Sequence, residues 1–307
     1  MRVAEVSEFG GPAVLRAAER PDPEPAAGEL VVRIYAANVN PTDLATRAGL
    51  ARQRMPGLEP PFVLGWDLAG EVTALGEGTR GFEPGQRVLG MIPFGRIGGR
   101  VGSYAEAAAV DPGWLAPLAD GVDFVTAATL PLNALTARQC LDLLEAKPGD
   151  TILITGAGGA VGGYAVQLAV RDGYRVIALA GSDGEDWVRS LGAHEVLPRN
   201  TELGGIGPVD AVFDAVPIGP ASAAAVKDVG VVVFTRSPRG DEPDRGVRFK
   251  PMLVQSDPEA LRELAADLAE GRLRPTRVAH TLDLAEAARA HELAEAGGLH
   301  GKVVLTS

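Results

Sequence analysis

Hydrophobic and polar positions alternate loosely over residues 30–36, a β-branched run that predicts a strand. Short apolar runs follow at residues 62–64, 70–72 and 87–91, separated by Pro60-Pro61, Gly76, Gly78, Gly81 and Pro84-Gly85. Many short strands punctuated by turn residues describe a compact barrel-like or sandwich-like unit. The rhythm changes near residue 120. Residues 123–132 and 134–145 read as helices and 147–150 as a turn. Residues 151–155 form an almost wholly apolar strand, followed by a small-residue helix over 161–171 and a second apolar strand over 175–179. A short helix over 187–191 and strands at 209–213 and 230–234 complete the alternation. Strands apolar on both faces and alternating with helices predict a doubly wound parallel sheet. Beyond it lie an amphipathic helix over 258–270, with Leu261, Leu264, Ala265 and Leu268 at helical spacing, a strand over 278–282, a helix over 284–296 and a closing strand over 302–305.

The junction between strand 151–155 and the next helix carries the most informative chemistry. It reads Gly156-Ala157-Gly158-Gly159-Ala160-Val161-Gly162, with glycines at 156, 159 and 162 rather than in the strict GxGxxG order. A dinucleotide pyrophosphate needs close backbone approach and unpaired helix N–H groups at this position. The strand before and the helix after favour that reading over a simple tight turn. The second strand ends in Leu179-Ala180-Gly181-Ser182, without the Asp or Glu that bonds the ribose hydroxyls of NAD. Ser182 could bond a 2′-phosphate and Arg199 could supply positive charge, while Asp183, Glu185 and Asp186 add negative charge that also suits a helix start. NADPH is therefore the expected cofactor, with NADH not excluded.

Composition narrows the partners. Of 307 residues 46% are hydrophobic, enough for real cores. Twenty-nine Lys and Arg against 40 Asp and Glu give a net charge of −11, with no basic block to displace counterions from a nucleic acid and none to hold an anionic membrane. The single cysteine, Cys140, excludes an intrachain disulfide and a cysteine-rich zinc site and reads as a buried small hydrophobe. His194, His280, His291 and His300 have no metal-ligand spacing and read as surface residues. The opening residues have no apolar core of signal-peptide length, and no stretch of about twenty apolar residues occurs, so a cytoplasmic protein is expected.

In order and spacing, several segments together resemble the zinc-free quinone oxidoreductase branch of the medium-chain dehydrogenase/reductase superfamily. They are Ala37-Asn38-Val39-Asn40-Pro41-Thr42-Asp43, Leu64-Gly65-Trp66-Asp67-Leu68-Ala69-Gly70-Glu71-Val72, Pro84-Gly85-Gln86-Arg87-Val88, Ala128-Thr129-Leu130-Pro131, Leu135-Thr136-Ala137, the glycine loop, and Gly301-Lys302-Val303-Val304-Leu305. The resemblance runs the length of the chain. It implies an α/β fold: a GroES-like β-rich catalytic domain built from residues 1–122 and 257–307, and a Rossmann dinucleotide-binding domain over 123–256. It further implies hydride transfer from NADPH to a quinone or an α,β-unsaturated carbonyl, and a homodimer.

Zinc-dependent relatives carry a Cys within the segment matching residues 37–43, and Gly-His-Glu where this chain has Gly65-Trp66-Asp67, so no zinc is expected. The family often has Lys at the position of Glu185, Tyr near Arg199 and Gly at Pro217, and a Tyr soon after the Asn-Pro step is missing here.

Among single residues, Asn40 either polarises the substrate oxygen through its amide N–H or caps the helix that follows it. Asp43 orders the same loop. Thr136 matches a family position that bonds the nicotinamide end of the cofactor, with a plain helix-interior threonine as the other reading. The final proton is assigned to water. Two other functions fit the same features: an enoyl-thioester reductase of polyketide or fatty-acid synthesis, and a non-catalytic NADPH-binding regulatory protein.

Overall fold

A computed structural model describes residues 1–236 and 245–307. In chain order the first part holds β1 (Arg2–Val6), β2 (Leu15–Glu19), β3 (Leu30–Asn38), α1 (Pro41–Arg47), β4 (Phe62–Val63), β5 (Asp67–Leu75), β6 (Arg87–Met91), β7 (Ala107–Val110) and β8 (Leu115–Pro117). Next come α2 (Phe124–Ala128), α3 (Pro131–Leu143), β9 (Thr151–Thr155), α4 (Ala160–Arg171), β10 (Arg175–Ala180), α5 (Glu185–Ser190) and β11 (Glu195–Pro198). The rest is β12 (Val209–Asp214), β13 (Val226–Phe234), β14 (Arg248–Pro251), α6 (Pro258–Ala269), β15 (Val278–Asp283), α7 (Ala287–Ala296) and β16 (Lys302–Thr306).

The chain divides into two compact units, Met1–Leu132 with Gln255–Ser307, and Asn133–Val254. In the first, β2-β1-β4 form a small antiparallel sheet, and a seven-stranded sheet runs β15-β16-β3-β5-β6-β8 with β7 also on β3. Strand β16 pairs with β3 through Val304 opposite Asn38, so both ends of the chain build one sheet. Its core includes Leu30, Val32, Ile34, Leu68 and Val88. The second unit is a six-stranded, all-parallel sheet in the order β11-β10-β9-β12-β13-β14. Counted from β9 this is the order 3-2-1-4-5-6 of a doubly wound dinucleotide fold. Its core gathers Leu153, Ile177, Val212, Val232 and Phe234. The crossovers after β11 and β12 are 3₁₀ turns at Leu203–Gly205 and Gly219–Ala225.

Two expectations change in detail. Residues 123–132 are not one helix: α2 stops at Ala128, and α3 begins at Pro131. The proline ring disfavours helical geometry at the preceding residue, Leu130, and itself suits the first helical position. The division between units falls after Leu132 rather than after residue 122, because α2 belongs to the β-rich unit. There the Phe124 ring stacks on Tyr35 at 4.8 Å between centroids, and the Arg87 guanidinium lies 4.4 Å from the Phe124 centroid.

Candidate active site

In the parallel unit the glycine loop leaves the carboxyl end of β9, where such sheets bind ligands. Gly156 takes φ +61°, and the Ala157 N–H donates to the Leu179 carbonyl of β10 at 3.0 Å, fixing the loop to the next strand. Gly159 caps α4 with no side-chain partner, and the first turn of that twelve-residue helix carries no acid. The amides of Ala160, Val161 and Gly162 lie in a turn without intrahelical acceptors. A Cβ on Gly162 would stand 2.3 Å from the Gly156 carbonyl oxygen, so only glycine lets the loop fold back on the helix. Gly158 and Gly184 face each other across a gap that a Cβ on Gly184 would narrow to 3.7 Å from the Gly158 Cα. Free amides, absent side chains and absent negative charge fit a pyrophosphate.

At the carboxyl ends of β10 and β11 the structure brings Gly181, Ser182 and Arg199 together. The Arg199 guanidinium lies against Gly181, and both Ser182 and Arg199 are exposed. Arg199 has no hydrogen bond or ion pair among the described residues. Ser182 Oγ donates to Asp183 Oδ1 at 3.0 Å, so the hydroxyl expected to meet a 2′-phosphate is turned to its neighbour. Glu185 and Asp186, the other acids expected to oppose a phosphate, both pair with Arg189, at 3.0 and 2.9 Å.

Thr136 is buried inside α3, and its hydroxyl has no hydrogen-bond partner among the described residues. Asp214, at the end of β12, accepts from Thr155 Oγ1 at 2.6 Å and from the Gly219 N–H at 2.9 Å, and burial raises its pKa. Asp210 accepts from the Thr151 N–H at 2.8 Å. Both acids tie strand ends to neighbouring backbone or side chains.

The β-rich unit buries a polar cluster that sequence reasoning located only in part. The Asn40 backbone N–H donates to Asp43 Oδ2 at 2.8 Å, half of a capping box that opens α1 at Pro41. The Asn40 side chain is fully buried. Its Nδ2 donates to Asp67 Oδ2 at 2.8 Å, while its Oδ1 accepts from Asn38 Nδ2 at 3.0 Å and from Lys302 Nζ at 2.9 Å. Of the two readings of Asn40, these contacts display the capping and ordering one. Asp67 also accepts from Asn38 Nδ2 at 3.0 Å and from the Leu132 N–H at 2.7 Å.

Burial raises Asp43 to about 8 against the hydrogen bond from Asn40, and raises Asp67 to about 6 against the bonds from Asn40 and Asn38. Burial also lowers Lys302 to about 8, with Asp67 and Asp43 pulling the other way. Lys302 was legible only as part of a closing motif, since nothing local in the sequence says which strand the last one joins.

One histidine departs from expectation. His291 is fully buried, with Nδ1 3.1 Å from Arg47 Nη1 and Nε2 3.1 Å from the Tyr104 hydroxyl. A guanidinium can only donate, so Nδ1 accepts, and the ring is the neutral Nε2–H form donating to Tyr104. Burial, then the Arg47 charge, lowers its pKa to about 3. Arg47 continues to Glu295 and to the Gly10 carbonyl. His194, His280 and His300 are exposed and Cys140 is buried, as expected. Among the described residues no group of three His, Cys, Asp or Glu could hold a metal ion. Zinc does not fit the donor set at residues 65–67 either, since an indole replaces a ligand and the Asp67 carboxylate is filled by three N–H donors.

Residues 26–120 match the alcohol dehydrogenase GroES-like domain family, and residues 191–305 the zinc-binding dehydrogenase family. A quinone oxidoreductase of Lama guanicoe is 30% identical over 331 aligned residues, spanning 99% of this chain and 97% of that protein. A chloroplastic quinone oxidoreductase of Triphysaria versicolor is 35% identical over 225 residues, 70% of this chain and 67% of its own length. The solved quinone oxidoreductase of Coxiella burnetii superposes with a TM-score of 0.90 at 31% identity, covering 100% of this chain and 99% of that one. No helix among the described residues is long and apolar enough to cross a membrane. With a GroES-like unit, a 3-2-1-4-5-6 parallel sheet and relatives matched over almost their whole length, the chain belongs to the quinone oxidoreductase branch of the medium-chain dehydrogenase/reductase superfamily and is an oxidoreductase.

Proposed function

We propose that the chain is an NADPH-dependent, zinc-independent reductase that transfers hydride to a quinone or an α,β-unsaturated carbonyl compound. The observation that carries the cofactor choice is Arg199, exposed and without a hydrogen-bond or ion-pair partner among the described residues beside the end of β10, where no carboxylate stands at Ala180 to bond ribose hydroxyls. A guanidinium so placed takes a 2′-phosphate in a charge-assisted pair. Arg189 offsets the acids of α5, which lessens their repulsion of that phosphate.

When bound, the nicotinamide supplies the hydride. The chain's own residues supply position: the amides of residues 160–162 hold the pyrophosphate, and the Thr136 hydroxyl meets the nicotinamide end. Positioning alone provides a large share of such a rate, because it replaces random encounter. The proton that completes reduction comes from water. The same reading takes the enzyme as a cytoplasmic homodimer acting on small molecules.

Fluorescence titration with NADPH and with NADH, followed by NADPH oxidation in the presence of a 1,4-benzoquinone or a cyclic enone, tests this. The expected result is tighter NADPH binding and turnover of at least one acceptor. Equal or tighter NADH binding overturns the cofactor choice. Cofactor binding without turnover of either acceptor overturns the reductase reading.

A further inference from the structure

Arg199 can lie at the end of β10 only because residue 181 has no side chain. A Cβ built on Gly181 would stand 1.9 Å from Arg199 Nη2, 2.8 Å from Cζ and 2.9 Å from Nε, and these three guanidinium atoms are its nearest neighbours. The glycine is not demanded by its backbone. Gly181 has φ −73° and ψ 156°, an extended conformation open to any residue. The clash also involves no backbone atom among the nearest three, only the free end of a flexible side chain. An alanine here would displace the guanidinium and leave the strand and the turn after it intact.

We infer that Gly181 is a specificity-determining residue: by leaving open the space its Cβ would fill, it seats the Arg199 guanidinium where a ribose 2′-phosphate is bound, and so sets the preference for a phosphorylated dinucleotide. The inference rests on the reductase reading above for its ligand and adds to it the residue through which the preference is set. Gly181 is a positioning residue, acting through Arg199. It is distinct from Gly162, where the clash is with backbone and the loop itself would have to move.

The test is a cycle of Gly181→Ala, Arg199→Ala and the double variant, titrated with NADPH and with NADH in the full chain, alongside thermal melting. Gly181→Ala is expected to weaken NADPH about tenfold, to change NADH less than twofold, and to leave the melting midpoint unmoved. Arg199→Ala is expected to do the same, and the double variant to lose no more than either single one, since both remove a single interaction. If Arg199→Ala abolishes the preference while Gly181→Ala keeps it, the role of Gly181 is overturned and the cofactor reading stands. If neither variant moves the NADPH-to-NADH ratio, both fall. A lower melting midpoint with an unchanged ratio makes Gly181 merely structural and overturns the inference.

Discussion

Lys302 Nζ lies 2.9 Å from Asn40 Oδ1, although 262 positions separate the two residues. The pairing of β16 with β3 brings them together, and the ammonium is the cation nearest in effect to two buried acids, Asp43 and Asp67. Lys302→Met is expected to destabilise the protein by on the order of 3 kcal/mol at pH 7, where Asp67 is ionised and the ammonium still holds its proton. The loss is expected to shrink at pH 5, where Asp67 as well as Asp43 holds its proton. Urea midpoints of both proteins at the two pH values check this, and an equal loss at both would sink it.

Asp43 gives the stability profile a definite sign. Its pKa rises from 3.8 to about 8 on folding, so the native state holds a proton that the unfolded chain releases. That contribution is fully present below pH 3.8 and is lost as pH rises through 8. Near pH 6.5 the slope is about 1.4 kcal/mol per pH unit for one proton, and it falls to about half of that at pH 8. Asp43→Asn, which can still accept the Asn40 N–H, is expected to flatten this window. A wild-type profile that does not fall from pH 6.5 to 8 contradicts the assignment.

How much of this was legible in the sequence follows from range. The parallel unit was readable because β9, β10 and β12 are apolar runs buried on both faces, and the Gly156–Gly162 spacing sits between two of them. Strands β1, β2, β7, β8 and β14 escaped notice. Each has only three to five residues, and β2 buries just Leu15 fully. Pattern over such a length does not separate strand from loop. Asn40 was found because Asn-Pro marks a helix start. Its true partners, Asp67 and Lys302, come from two other strands, and no local signal names them. His291 was misread for the same reason: Arg47 and Tyr104, 244 and 187 positions away, satisfy its ring.

His291 acts on the acid limb with the opposite sign. Its pKa falls from 6.5 to about 3 on folding, so its contribution is present above pH 6.5 and is lost as pH falls through 3. Between pH 4 and 6.5 it opposes the Asp43 slope. His291→Gln is expected to lower stability at pH 7 by about 1–3 kcal/mol through the weakened bonds to Arg47 and Tyr104, and to lose less on further acidification than the parent does. Parallel acid limbs for the two proteins would refute the neutral, buried ring.

Gly162→Ala tests whether the glycine loop is shaped for a ligand. The added methyl meets the Gly156 carbonyl oxygen at 2.3 Å and the Ala157 Cα at 2.7 Å, both backbone atoms that cannot yield without moving the loop. NADPH affinity is expected to drop at least tenfold. Far-ultraviolet circular dichroism should stay unchanged, because the rest of the parallel sheet does not depend on this contact. Undiminished binding would remove the loop from the cofactor site.

Ser103 offers a change in the stabilising direction. Its Oγ is buried and lacks a hydrogen-bond partner among the described residues, as does the Nε1 of Trp66 in the same β-rich unit. The serine packs on Gly65, whose φ of +113° and lack of a side chain leave the hydroxyl its place: a Cβ there would lie 2.2 Å from Ser103 Oγ. A buried hydroxyl without a partner carries its full desolvation penalty, and alanine removes it with almost no loss of volume. Ser103→Ala is therefore expected to stabilise the protein by about 1 kcal/mol, seen as a higher urea midpoint at unchanged m. Trp66→Phe also deletes an unpartnered donor, but it removes ring volume packed against Phe94, whose centroid lies 6.1 Å away. The cavity term then offsets the polar gain, so this variant should fall below Ser103→Ala in stability. A destabilised Ser103→Ala would mean that the hydroxyl is satisfied by an internal water, and that the serine is held there by that bond.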